Sequence, residues 1–352
     1  MGGVAMDIVS TATGWGVFFG LGESASPLVT LPLAFVFFFF FILFPLYFFL
    51  GFAERKLAAD LQARVGPNRT PGSGALQVFA DTLKLGAKGA SARESKRVRR
   101  GAAAQNAFLY ATFAFLPLGS TLVFLDSEWG AFLPLLCMGA VFLAALFSSE
   151  GAKEVEIEIL SQRQAFLWVS SWIPALIATT VSVARAGSGR WTAILETQSH
   201  GFLSWSAFSS PFGFVAFFVF LLSGMVAFQL PPFHVLDRGV GRRAGLALGV
   251  YSLNQFYAVL VWCLIASGLF LGGQSVPELG DVSFGIAAAQ LGIAIAKASL
   301  LYVAVRVVAR ALPQLRQDQM TEFCWRILTP IASLCLVGEL VWLRLFSRGA
   351  SL

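Results

Sequence analysis

Charge is scarce in this chain. Only 12% of its 352 residues are Asp, Glu, Lys or Arg, about half the share of a soluble globular domain. A water-solvated surface over the whole molecule is thereby excluded. Histidine occurs twice, at His200 and His234. Cysteine occurs four times, at Cys137, Cys263, Cys324 and Cys335, with no CxxC pair. These spacings supply no ligand set for zinc or an iron–sulfur cluster, so no metal site is expected within the chain. The first 28 residues lack a basic stretch and hold only Asp7 and Glu23 as charges, so a secretory signal peptide is not expected. No repeat of about 20–50 residues is visible, which disfavours solenoids and repeat-built transporters.

What the chain has instead is apolar length. It is 57% hydrophobic, with a mean hydropathy of +0.74. Apolar runs recur near 29–50, 102–125, 131–149, 164–184, 211–230, 245–271, 283–305 and 323–346. Each is close to the roughly 20 residues a helix needs to cross the hydrocarbon core. The expected fold is all-α: a polytopic membrane protein of about eight transmembrane helices, in a single transmembrane domain over 1–352. The phenylalanine run Phe37 to Phe41 suits lipid-facing surface.

Basic residues are sorted by loop. The stretch 51–101 holds eleven Lys and Arg; 231–244 holds Arg238, Arg242 and Arg243; 306–320 holds Arg306, Arg310 and Arg316. The connections 126–130 and 272–282 hold only the acids Asp126, Glu128, Glu278 and Asp281. The positive-inside rule puts the basic group in the cytoplasm and both termini on the other side. Arg185 and Arg190, in 185–210, are a mild exception. The net charge of +6 then reflects topology and contact with anionic lipid. Nucleic acid is not an expected partner.

The first cytoplasmic loop carries most of the information. It opens with Glu54-Arg55-Lys56, directly after Val29 to Leu50, which holds no charge. Glu54 at the membrane edge is either a local ion-pair partner or a functional carboxylate, because ionisable groups at depth pair or mark a pathway. Gly66-Pro67-Asn68 signals a turn. An amphipathic helix is expected over about 74–90. Gln77, Asp81, Lys84 and Lys88 share one face; Leu76, Phe79, Ala80 and Leu83 share the other. Such a helix lies along the membrane surface, as a simple anchor or as part of a site.

These motifs together resemble the H-subunit (subunit 1) family of respiratory complex I, the NADH:quinone oxidoreductase. Glu54-Arg55-Lys56 matches its first signature. Gln62, Arg64, Gly66, Pro67 and Asn68 match its QxRxGPN. Gln77, Ala80, Asp81 and Lys84 match its surface helix. Arg310, Pro313, Arg316, Asp318-Gln319, Trp325 and Pro330 match a C-terminal stretch. The resemblance implies a membrane component that anchors the peripheral redox arm and forms the membrane end of a quinone chamber. Quinone is the implied substrate. No cofactor is bound by the chain itself; the iron–sulfur clusters sit on partner subunits. Peripheral arm subunits and adjacent small and antiporter-like membrane subunits are the implied partners, and the bacterial inner membrane the implied location.

The family's carboxylates are largely missing. Its acidic third loop corresponds to Pro232-Phe233-His234-Val235-Leu236-Asp237, where only Asp237 is an acid and Arg238, Arg242 and Arg243 follow. Phe233, His234 and Asp237 are the expected chamber residues here. Two further glutamates of the family would fall near Tyr251 and Cys263, and both are lost here. In the fourth long helix Arg163 fits the family's Arg, and Trp172 stands where its Glu would be. Glu150, Glu154 and Glu158 lie four apart on one face, as a solvated edge or a displaced ion pathway; Lys297 is a further pathway candidate. Three accounts remain open: a divergent complex I subunit, a member of a related hydrogenase-like assembly, or a scaffold or ion-pathway subunit without redox chemistry. An independent transporter is disfavoured.

Overall fold

The computed structural model describes residue 33 and residues 36–89, 96–117, 127–149, 155–230, 245–274 and 284–347. All of the regular elements described there are helical. Helix α1 spans Phe38–Leu61, π-helical over Phe38–Leu43 and α-helical over Phe44–Leu61. It does not stop at the charged triplet. Lys56-Leu57-Ala58-Ala59-Asp60-Leu61 contains mostly good helix formers, and the first breakers are Gly66 and Pro67. Glu54, Arg55 and Lys56 therefore sit near the end of a helix rather than in a loop.

The short α2, Gln77–Ala87, follows. Then come α3 (Lys96–Phe113), α4 (Leu133–Ser149) and the 32-residue α5 (Val155–Ala186). Two short helices, α6 (Trp191–Thr197) and α7 (Ser206–Ser209), lead to α8 (Pro211–Ala227). Ser210 caps α8 by accepting from the Gly213 N–H, and Pro211 takes the first helical position, where no donor is needed. The rest is α9 (Leu246–Phe270), α10 (Phe284–Ala311), α11 (Gln317–Phe323), a π-helical link Cys324–Leu328, and α12 (Thr329–Ser347). Helix α10 also outruns its expected end, so Arg306 and Arg310 are helical; Pro313 follows the stop.

Among the described residues, five stretches are long and apolar enough to cross a membrane: Phe38–Leu61, Gln162–Ala186, Leu248–Phe270, Ala288–Ala311 and Gln317–Leu345. Leu133–Phe147 and Pro211–Ala227 are shorter apolar helices. Of the second expected span, 102–125, the first part is α3, and residues 118–125 lie outside the described residues. The chain is thus an all-α polytopic membrane protein. Helix α9 is its central member: 89% of its span is buried against other helices, against 22% for α1.

Aromatic rings knit the centre. Phe142 of α4 stacks on Trp168 of α5 at 4.6 Å, and Trp168 on Trp172 at 4.6 Å. Trp172 meets Trp262 of α9 at 5.6 Å, and Trp262 lies flat on Phe220 of α8 at 4.4 Å. Gly224 makes that approach possible, since a Cβ there would fall 2.1 Å from Trp262 Nε1. The indole N–H is satisfied by the Phe220 carbonyl at 3.2 Å.

Polar groups tie the far end, where α5 and α9 finish. Buried Gln198 donates to the carbonyls of Gly268 and Leu269 and accepts from the N–H groups of Ser206 and Gly272. Nearby, Arg185 donates to buried Glu339 at 3.0 Å, and the Ser210 hydroxyl donates to the other Glu339 oxygen. Both the expected exception in sidedness, Arg185, and an acid deep in α12 are therefore accounted for by one pair.

Candidate functional site

Glu54 is held by three groups from one helix. The Tyr302 hydroxyl donates to its Oε2 at 2.9 Å, Arg310 donates to Oε1 at 3.4 Å, and Arg306 pairs with Oε1 at 3.3 Å. Tyr302, Arg306 and Arg310 are four apart, so they form one stripe of α10. The first motif and the C-terminal motif thus meet through Glu54 and Arg310. The carboxylate sits against a shallow recess walled by Leu57, Leu61, Val303 and Val307.

Arg55 is one residue on, rotated about 100° around α1, and faces α2 instead. It pairs with Asp81 at 2.5 Å. The other Asp81 oxygen accepts from Gln77 Nε2 at 2.9 Å. Such a shared carboxylate fixes both the rotation and the height of α2 against α1. Val78 backs this contact: it is buried, and its methyls lie 3.5 Å from where a Gly51 Cβ would stand.

Helix α2 therefore has three faces rather than the expected two. Gln77 and Asp81, expected on a solvated side with Lys84, turn partly inward beside Val78. Leu76, Phe79 and Leu83 form an open apolar stripe, with Phe79 touching Phe48 at 5.4 Å. Lys84 and Lys88 are exposed. The difference arises because Arg55 gives the carboxylate a partner that water cannot match at this partly buried position.

The connection between α1 and α2, residues 62–76, is a series of close turns. Arg64 donates to the Gln62 side chain at 2.8 Å. A Cβ at Gly66 would meet Lys56 and Ala59 at 3.2 Å, so this backbone lies close on the end of α1. Gly74, at φ +96°, passes over the Pro67 carbonyl, where a Cβ would be 2.1 Å from the oxygen. Gly74→Ala is expected to open this turn and loosen α2. Faster proteolytic nicking between Asn68 and Ala75 in the purified protein, with α1 intact, would be the readout; an unchanged cleavage rate would contradict it.

The structure thus brings Glu54, Arg55, Gln77 and Asp81 into linked contacts beside the turn of Gly66, Pro67 and Asn68. Lys297 is not among them. It lies thirteen residues before Arg310 on α10, roughly 20 Å along the helix. There it donates to the Leu271 carbonyl at 2.8 Å and rests over Trp205 at 4.1 Å. Arg163 is exposed, and its backbone carbonyl accepts from Gln317 at 2.9 Å. Phe233, His234, Asp237, Glu150 and Glu154 lie outside the described residues, and of Glu158 only its place in α5 is described. Lys56 and Lys84 engage no acid in these contacts. Sequence reasoning missed Tyr302 and undervalued Arg306. Their i, i+4, i+8 spacing with Arg310 was the available signal.

The C-terminal motif is also built in. Arg316 pairs with Asp318, its backbone N–H donates to Gln319, and Trp325 donates to Ser170 of α5 at 3.1 Å. That bond lies two residues from Trp172.

A polytopic membrane protein whose described elements are all helical, with a charged triplet near the end of α1 pinned by α2 on one side and a distant arginine on the other, defines a narrow class. The chain matches the NADH dehydrogenase family over residues 33–339 and belongs to that family, whose members are the H subunit (subunit 1) of complex I. It is 28% identical to the NADH-quinone oxidoreductase H subunit of Anaeromyxobacter dehalogenans, over 84% of this chain and 78% of that one. It is 29% identical to the NADH-quinone oxidoreductase H subunit of Rubrobacter xylanophilus, over 82% of this chain and 88% of that one.

Proposed function

We propose that this chain is the membrane subunit of a complex I or complex-I-like assembly that anchors the peripheral redox arm. The α1–α2 corner forms the membrane end of the quinone chamber, and quinone reduction there is coupled to ion translocation. The observation that carries this reading is the Arg55–Asp81–Gln77 network. It locks α2 to the end of α1 while leaving Leu76, Phe79 and Leu83 open. An apolar lip beside a fixed polar corner suits a quinone, whose long isoprenoid tail stays in lipid while its head enters a polar site.

In this reading the stretch 51–101 and loop 231–244 face the cytoplasm, and both termini face the other side of a bacterial inner membrane. Quinone reduction takes up two electrons and two protons. The electrons come from iron–sulfur clusters on peripheral arm subunits. The residues of this chain supply the wall: Arg64 and the Gly66-Pro67-Asn68 turn shape the mouth, and Phe233, His234 and Asp237 are the third loop's candidates for the same chamber. Glu150, Glu154, Glu158, Arg163 and Lys297 are the candidates for an ion pathway toward adjacent small and antiporter-like membrane subunits.

A second reading has one specific observation behind it. Trp172, standing where the family has a Glu, stacks on Trp168 and meets Trp262 at a tilt. Packed indole rings carry no proton, which favours a scaffold or ion-pathway subunit that has lost the carboxylate route.

The two readings separate in the assembled complex. Asp81→Asn or Arg64→Ala is expected to lower quinone-analogue reductase activity several-fold at normal assembly. Full activity in both variants, with the complex intact, would remove the quinone-chamber reading and leave the scaffold.

A further inference from the structure

We propose that the connection between α5 and α8 is inserted in the membrane, and that Phe202, Leu203 and Phe208 contact acyl chains of the leaflet opposite the basic loops. The stretch from Gly201 to Leu230 holds no charged residue. Before α8 it builds only a 3-10 turn, Phe202–Ser204, and the four-residue α7. A connection of this kind in water turns its rings in and its polar groups out. Here the order is reversed. The N–H groups of Ser204, Trp205 and Phe208 donate to the carbonyls of Gly201, Phe202 and Trp205. The Ser204 hydroxyl donates to the Gly201 carbonyl at 2.6 Å, and buried Gln198 accepts from the Ser206 N–H. Meanwhile Leu203 is 77% exposed, Phe202 57% and Phe208 40%. Hydrocarbon demands polar groups closed on one another, and water penalises a cluster of large apolar side chains.

Two lengths place this turn at membrane depth. Helix α8 has 17 residues, roughly 25 Å of rise, against a hydrocarbon core of about 30 Å. It therefore stops short of a surface. Lys297 shows which one. It lies nine residues inside the Ala288–Ala311 span, roughly 14 Å along the helix from Ala288. Its ammonium rests over the Trp205 ring at 4.1 Å. A four-carbon stem does not cover that distance, so Trp205 sits within the span and the turn roofs α8 from inside the leaflet.

The chemistry of the exposed strip selects lipid over a neighbouring helix. Phe202 stacks on Phe208 at 4.4 Å, Phe208 meets Phe214 of α8 at 6.2 Å, and Phe214 meets Phe218 at 5.0 Å. The strip thus continues from the turn down the open face of α8. Its members are bulky, whereas helices that pack together in a membrane meet through Gly, Ala, Ser and Thr, which permit close approach. Acyl chains adapt to the gaps between rings. This inference goes beyond the quinone reading and does not depend on it.

The test uses the full chain in vesicles of phosphatidylcholine and phosphatidylglycerol, with a nitroxide attached at Leu203→Cys. Cys137→Ala removes the partly exposed native thiol, and the other three cysteines are buried. Relaxation of the nitroxide by oxygen, which partitions into hydrocarbon, is compared with relaxation by a water-soluble nickel chelate. Oxygen is expected to be several-fold more effective than nickel at Leu203→Cys and at Phe202→Cys. The reverse is expected at Glu196→Cys, an exposed acid in α6. Nickel reaching Leu203→Cys and Phe202→Cys as readily as Glu196→Cys would place the turn in water and overturn the proposal. Shielding of both positions from oxygen and nickel in the assembled complex would overturn it too, by showing a neighbouring subunit on the strip.

Discussion

Arg185→Ala is expected to lower the stability of the folded chain by about 3–5 kcal/mol, the cost of breaking a buried pair from one side. Glu339 is 1% exposed and Arg185 20%. Removing the arginine leaves the carboxylate with only the Ser210 hydroxyl, in surroundings where an unpaired charge is expensive. Thermal unfolding in detergent, followed by circular dichroism, gives the measurement. The double variant Arg185→Leu with Glu339→Leu is expected to recover much of the loss, because it removes both charges at once. If the single and double variants melted together with the parent, the pair would be a bystander. Quinone-analogue reductase activity in any Arg185→Ala complex that still assembles should be close to normal, since the pair lies at the opposite end of α5 from the α11 contact near Arg163.

Trp262→Ala is expected to cost a similar amount, about 3–5 kcal/mol for a large ring removed from a core. The ring is 2% exposed and stacks on Phe220, with Trp172 and Phe228 against its other sides. Its loss would leave a cavity in the middle of α9, the most buried span. Gly224, whose missing side chain admits the indole, would then border empty space. Trp262→Phe should recover part of the loss and Trp262→Leu less, read by the same unfolding measurement. Equal melting of Trp262→Ala and the parent would mean that the rings are in contact without holding the helices together.

Much of the fold was legible because its cause is one-dimensional. Apolar runs of the right length become spans whatever their neighbours, and the positions of α4, α5, α8, α9 and α10 follow from that. The ends were less legible. Helices α1 and α10 continue past their apolar runs, since Lys, Arg, Glu and Ala are all compatible with helix once water replaces lipid. The site divides in the same way. Glu54, Arg55 and Asp81 are visible as motif residues. Which of them pair is not, because it depends on the rotation of α1: one residue's step sends Glu54 to α10 and Arg55 to α2. The inward turn of Gln77 and Asp81 also depends on Arg55, 26 residues before Asp81, and has no periodic signature. Trp172 is the reverse case. The absence of an acid was readable, but its replacement by a stack of rings reaching across neighbouring helices was not.

The Glu54 cluster also bears on how the protein is made. Tyr302 and Arg310 follow Glu54 by 248 and 256 residues. At synthesis rates of about 5–20 residues per second, roughly 12–50 s separate the arrival of the acid from that of its partners. During that interval the end of α1 has no cation from α10, and its carboxylate stays in water at the membrane surface. Helix α2 arrives early and can fix Arg55 at once. The seating depth of α1 is therefore set in two instalments, and the second waits for nearly the whole chain.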